Sequence, residues 1–136
     1  MTIQLSVAVR NARLDAIETA IGVSAKLQIW TGSMPASCAA ASTGTKILED
    51  ALASDWAANA ASGSKSFNGT PIAGTGINGG GTAGYFRIVD NAGTTCHMQG
   101  TVTATGGGGD MTIDNTSIAN GQTVNVTSFT LTDGNA

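Results

Sequence analysis

Apolar residues recur at helical spacing in one convincing stretch. Val7, Leu14, Ile17 and Ile21 fall on one face of a helix over residues 6–21, with Arg10, Asn11, Asp15 and Glu18 as its polar remainder. Ser6 suits the N-cap, and Gly22 suits the position just past the end. A helix of about four turns is marginal by itself and must dock on something. Its own sheet is the default partner and a neighbouring subunit the alternative. After Gly22 the period drops to two. Residues 25–31 alternate Leu27 and Ile29 against Lys26 and Gln28, which predicts a strand. Trp30 falls on the polar-side parity, either as an exposed or interface aromatic or packed under a loop. Residues 46–53 carry Ile47, Leu48 and Leu52, which fit a strand or a helical turn, with a strand favoured.

The clearest two-residue alternation lies near the C-terminus, in residues 85–132. Phe86 and Ile88 flank Arg87, a turn follows at 91–93, and Cys96, Met98, Val102 and Ala104 then alternate with Thr95, His97, Gln99, Thr101 and Thr103. These two runs predict an antiparallel hairpin. A glycine tetrad at 106–109 predicts a mobile or unusually shaped turn. Met111 and Ile113 mark a short strand, Asn120 and Gly121 another turn, and residues 123–132 the last strand. Its apolar parity switches from Val124 and Val126 to Phe129 and Leu131, which a β-bulge near Thr127 and Ser128 would reconcile. Short strands and frequent turns predict a single mainly β domain over 1–136, an antiparallel sandwich or jelly-roll-like barrel with one N-terminal α-helix.

Between these regions, residues 57–84 are built from Gly, Ala, Ser, Thr and Asn, and only Phe67, Ile72 and Ile77 supply apolar anchors. So little apolar surface cannot organise a segment by itself. The stretch therefore reads as a long excursion that becomes ordered against a partner. Trp30, Phe67, Ile72 and Ile77 are the candidate interface residues.

Composition sharpens this picture. Charged residues make up 11 % of the 136-residue chain, against roughly 25 % in ordinary domains. Small hydroxyl and amide side chains take their place, giving a surface that is weakly self-repelling and tolerates close neighbours. All basic residues lie at or before Arg87, and no basic stripe exists, which argues against nucleic acid. No apolar run approaches the roughly 20 residues that span a bilayer, and no secretory signal is visible at the start. Synthesis in a cytoplasm follows, so Cys38 and Cys96 are expected to be reduced thiols, and the sequons at Asn68, Asn115 and Asn125 carry no meaning.

Candidate chemistry is sparse. The run from Gly74 to Gly79 matches G-x-G-x-x-G by letter but neither follows a clear strand nor opens a helix. His97 and Cys96 are strand neighbours that point to opposite faces, so they can neither share a metal nor form a catalytic pair. Asp110 and Asp114 flank a short strand, and two carboxylates are too few for a Ca²⁺ site. No catalytic residue, cofactor or metal is expected, and the protein reads as non-enzymatic.

Three stretches resemble parts of small structural proteins encoded by tailed bacteriophages. They are the helix VAVRNARLDAIE (7–18), the hairpin GTAGYFRIVD (81–90) with TCHMQGTV (95–102), and the ending IANGQTVNVTSFTLTDGNA (118–136). The resemblance spans nearly the whole chain and is one of pattern. It implies a virion component, foremost a capsid cement or decoration protein that binds the major capsid protein across gaps and opposes expansion of the head. A tail or tail-fibre component binding tail proteins is the alternative, and a cell-wall or polysaccharide-degrading enzyme comes third. A homo-oligomer synthesised in the host cytoplasm and located in the virion is the corresponding expectation, with no nucleic-acid or membrane partner.

Overall fold

The computed structural model describes residues 3–69 and 72–135. Helix α1 spans Val7–Ile21; the Ser6 side chain accepts the Val9 N–H at its start, and Gly22 ends it by donating to the Glu18 carbonyl. Among the described residues nine strands follow: β1 (Lys26–Thr31), β2 (Lys46–Ala51), β3 (Ser64–Ser66), β4 (Ile72–Thr75), β5 (Gly81–Val89), β6 (Cys96–Ala104), β7 (Met111–Ile113), β8 (Ser117–Ile118) and β9 (Thr123–Thr132). Strand makes up 43 % of the chain and helix 11 %, so the mainly β reading with one N-terminal helix holds.

The strands form one curled sheet in the order β2-β1-β5-β6-β7-β9-β3, with β4 also on β9 and β8 on the start of β5. Strands β3 and β4 occupy successive stretches of β9, pairing at 130–132 and 123–126. The chain just past β4 then meets β2: Leu48 and Gly76 form an antiparallel bridge, and the Ile77 N–H donates to the Ile47 carbonyl at 2.9 Å. The curl thus brings the two flanks of the sheet together.

The β5–β6 hairpin forms as the alternation predicts. In β9, Thr112 pairs with Ser128 and Ile113 with Val126, leaving Thr127 as the extra residue of the expected bulge. An all-antiparallel sheet is not what forms, because β6 and β7 run parallel. Their short link is the glycine tetrad, which doubles back against β6. A Cβ on Gly107 or Gly109 would lie 2.7 or 2.9 Å from Thr103 atoms, so only glycine fits that return path. The turn is held by Gly109 N–H donating to Thr103 Oγ1 and by Asp110 accepting from the Thr101 amide and hydroxyl.

Inside the curl, three phenylalanines and Trp56 pack in series. Trp56 meets Phe67 edge-on (6.2 Å), Phe67 stacks on Phe129 (4.5 Å), and Phe129 meets Phe86 edge-on (5.6 Å). Ile29, Ile47, Ile88, Met111, Ile113 and Val124 fill the space around them. Burial of this kind is the main stabilising term of the domain.

The excursion over 57–84 does not wait for a partner. Within its described residues lie β3, β4 and the start of β5, and Phe67 is 3 % exposed in the core of its own domain. Ile72 packs against the same core and Ile77 is half-buried. The missing apolar content is replaced by main-chain pairing with β9, which needs no large side chain. Phe67 is therefore a core residue and not a free interface anchor.

Helix α1 docks in cis. Leu14 and Ile21 are buried and Ile17 is partly so, whereas Val7 is about half exposed. Its polar residues also face the domain. Asn11 accepts the Gly63 N–H, Asp15 the Ala60 N–H and Glu18 the Ala57 N–H. At the centre, the Lys65 ammonium, with its side chain 2 % exposed, donates to Asp15 (2.8 Å), Glu18 (2.9 Å) and the Ala58 carbonyl (2.8 Å). Burial disfavours the Lys65 charge, but its hydrogen bonds to the two carboxylates, with their negative charge, outweigh it and raise its pKa.

Candidate functional site

The outer face of β2, β1, β5 and β6 carries a connected group of polar side chains. Register aligns Glu49, Gln28, Arg87 and Gln99 across the four strands. Side chains of like parity on paired strands stand side by side, so the alignment builds a polar row. Gln28 Nε2 donates to Glu49 Oε2 at 2.7 Å, and Lys46 donates to the same oxygen at 2.7 Å. Burial works against the Glu49 charge, yet the bonds from Lys46 and Gln28, with Lys26 nearby, hold its pKa below the usual range. Trp30 stands beside this row as its parity predicts. It is half-buried, stacks on Tyr85 at 6.3 Å, and donates through Nε1 to Gln28 Oε1.

A strap formed by the β1–β2 connection, residues 32–45, crosses this face. Arg87, only 5 % exposed, donates to the Ser37 and Ala40 carbonyls and to Ser42 Oγ. Gln99 Nε2 donates to the Pro35 carbonyl at 2.7 Å. The Tyr85 hydroxyl accepts the Thr43 N–H and donates to the Thr43 carbonyl. Two polar atoms beneath the strap, Arg87 Nε and Gln99 Oε1, are buried with no protein partner.

The strap also corrects the reading of the cysteines. Cys38 and Cys96 are joined as a disulfide, with Cα atoms 5.2 Å apart, and neither is a free thiol. Their separation of 58 residues carries no local signature. The pair meets only because the strap folds back over β6, and a compartment rule applied to the sequence could not foresee it.

The other residues considered from the sequence are scattered. His97 is exposed on β6, and the run from Gly74 to Gly79 spans the end of β4 and a turn. Asp110 and Asp114 serve separate turns: the first accepts from Thr101, the second from the Asn125 amide and side chain. Those donors lower both carboxyl pKa values. Among the described residues, no group of three or more His, Cys, Asp or Glu side chains could hold a metal ion, and no helix is long and apolar enough to cross a membrane.

Ionic groups are largely satisfied within the chain. Arg10 donates to the Asp133 carbonyl and Arg13 pairs with the Asp133 carboxylate. Lys26 and Lys46 meet Glu49, Lys65 meets Asp15 and Glu18, and Arg87 meets the strap. Every basic side chain thus has an intramolecular partner. The sequence shows how few charges there are, but not that the Lys and Arg side chains find partners across the fold. Comparison of the chain with family models, with curated proteins and with solved structures finds no match.

Proposed function

We propose that this protein is a non-enzymatic structural component of a tailed-phage virion, foremost a capsid cement or decoration protein seated on the major capsid protein. The observation that carries the reading is the internal pairing of all basic side chains, which leaves an exterior dominated by Thr, Ser, Asn, Gly and Ala. Such a surface presents neighbours with no unpaired Lys or Arg and few exposed carboxylates, Asp55, Asp110 and Asp114, so covering it strips water from few ions, the main cost of burying charged groups. The disulfide is in keeping with a particle exterior, where such bonds persist. The curl that brings β2 to Gly76 favours a jelly-roll-like barrel over an open sandwich, with β6 and β7 as its parallel departure. Trp30, at the margin of the strap, is the aromatic best placed to contact a neighbour, and repeated contacts between copies would make the protein a homo-oligomer on the lattice.

The test is quantitative gel densitometry of purified virions. A cement protein is present at a copy number comparable with the major capsid protein, whereas a tail or tail-fibre component is present in a handful. Absence from the particle would refute the virion reading, and hydrolysis of cell-wall or capsule material by the purified chain would refute the non-enzymatic one.

A further inference from the structure

We infer that Cys38–Cys96 is a redox latch on a hinged strap, open while the chain resides in a reducing cytosol and closed once it leaves. The strap is the connection between adjacent antiparallel strands, and its two ends lie side by side, with Thr31 N–H donating to the Thr45 carbonyl and Thr45 N–H to Thr31 Oγ1. It can therefore lift as a unit without breaking any strand pairing. Each end carries a glycine in the left-handed region, Gly32 at φ 81° and Gly44 at φ 74°, which suits a pivot. The strap's own side chains contribute almost no apolar burial: Pro35 is buried, but Met34 is 40 % exposed and the rest, Cys38 apart, is Ala, Ser, Thr and Gly.

What holds the strap down, apart from the disulfide, is a set of polar contacts from Tyr85, Arg87 and Gln99. Water can replace each of them. Closure also strands Arg87 Nε and Gln99 Oε1, which lifting would hydrate. Non-covalent terms thus favour closure weakly, and the covalent bond decides the balance. Closure proceeds by exchange with a low-molecular-weight disulfide. One cysteine thiolate attacks it, forming a mixed disulfide and releasing a small thiol. The second cysteine thiolate then displaces the other small thiol, so two electrons pass to the small disulfide and the cysteine protons end on the released thiols.

The purified chain decides the latch by hydrogen exchange, compared between the oxidised form, the same form after reduction, and Cys38→Ser/Cys96→Ser. Peptides spanning 33–45 should exchange at least about tenfold faster without the bond, with no dependence on low urea, because local opening exposes little surface. Peptides of β9 should keep their urea-dependent exchange. The latch is wrong if the strap peptides do not accelerate, if they exchange with the same urea slope as β9, or if reduction unfolds the chain. Timing is read by iodoacetamide quenching inside expressing cells. Two alkyl groups per chain are expected there, and none after exposure of the lysed material to oxidised glutathione; a disulfide already present in the reducing cytosol would overturn the timing. The virion reading enters neither arm, so failure to find the chain in particles would leave this inference standing.

Discussion

Replacing Lys65 by Met should detach the helix from the glycine-rich segment it holds. The ammonium lies at the junction of α1, the 57–61 stretch and β3, with a side chain 2 % exposed and three partners within 2.9 Å. Removing one member of a buried ion pair costs about 3–5 kcal/mol, mostly because the remaining charge is left buried. Here the carboxylates can rehydrate, since Asp15 is 43 % and Glu18 19 % exposed. The expected loss is therefore smaller, about 2–3 kcal/mol. For a chain of this length that corresponds to a fall in Tm of roughly 6–15 °C. Calorimetry and urea titration of Lys65→Met measure it. Adding Asp15→Asn and Glu18→Gln should restore part of the loss, because the amide oxygens still accept the Ala60 and Ala57 N–H groups while the like charges vanish. A change within about 0.5 kcal/mol for Lys65→Met, the range of ordinary surface substitutions, would refute the argument that this cluster anchors the helix.

Further outcomes follow from the same geometry. Cys38→Ser/Cys96→Ser, measured by urea denaturation, should cost about 4 kcal/mol, the closure entropy for the 58-residue separation of the pair. Gly84→Ala should destabilise by about 1–3 kcal/mol in the same assay, because its Cβ would collide with the Gly32 backbone carbonyl. The pKa values of Asp15, Asp90, Asp110 and Asp114 are lowered by hydrogen bonds, chiefly from Lys65 to Asp15 and from backbone amides to the others. Their contribution is present above the ordinary carboxylate range and is lost as pH falls through the lowered values, while Asp50, raised by burial, works in the opposite direction. Thermal scans should thus show Tm steady near neutrality and falling below about pH 4. Binding of the chain to particles that lack it should change little between about 0.05 and 1 M NaCl, since no exposed ionic pairing is required; a steep salt dependence would oppose the proposed docking surface.

Local patterns were legible and long-range pairings were not. The helix face, its Ser6 cap and the parity switch in β9 are written in adjacent residues, and each appears where its spacing places it. The parity of Trp30 likewise put it on the outer face. Residues 57–84 misled because their order comes from hydrogen bonds to β9, more than 45 residues away, and a main-chain bond leaves no mark on composition. Lys65 in that stretch looks like a solvent-facing cation until the helix folds over it. The parallel β6–β7 pair and the Cys38–Cys96 bond have the same origin: both depend on where a loop returns, which residue spacing does not encode.

The last strand has a consequence for biosynthesis. Three earlier strands, β3, β4 and β7, all find their partner in β9, and Asp133 just beyond it binds Arg10 and Arg13 of the helix. While the chain is still emerging from the ribosome, those edges have nothing to pair with. Closure of the sheet must therefore wait until β9 has emerged, with the glycine-rich middle held open until then. A stop codon placed before β9 should yield a chain that cannot close its sheet, however much of the core sequence it retains.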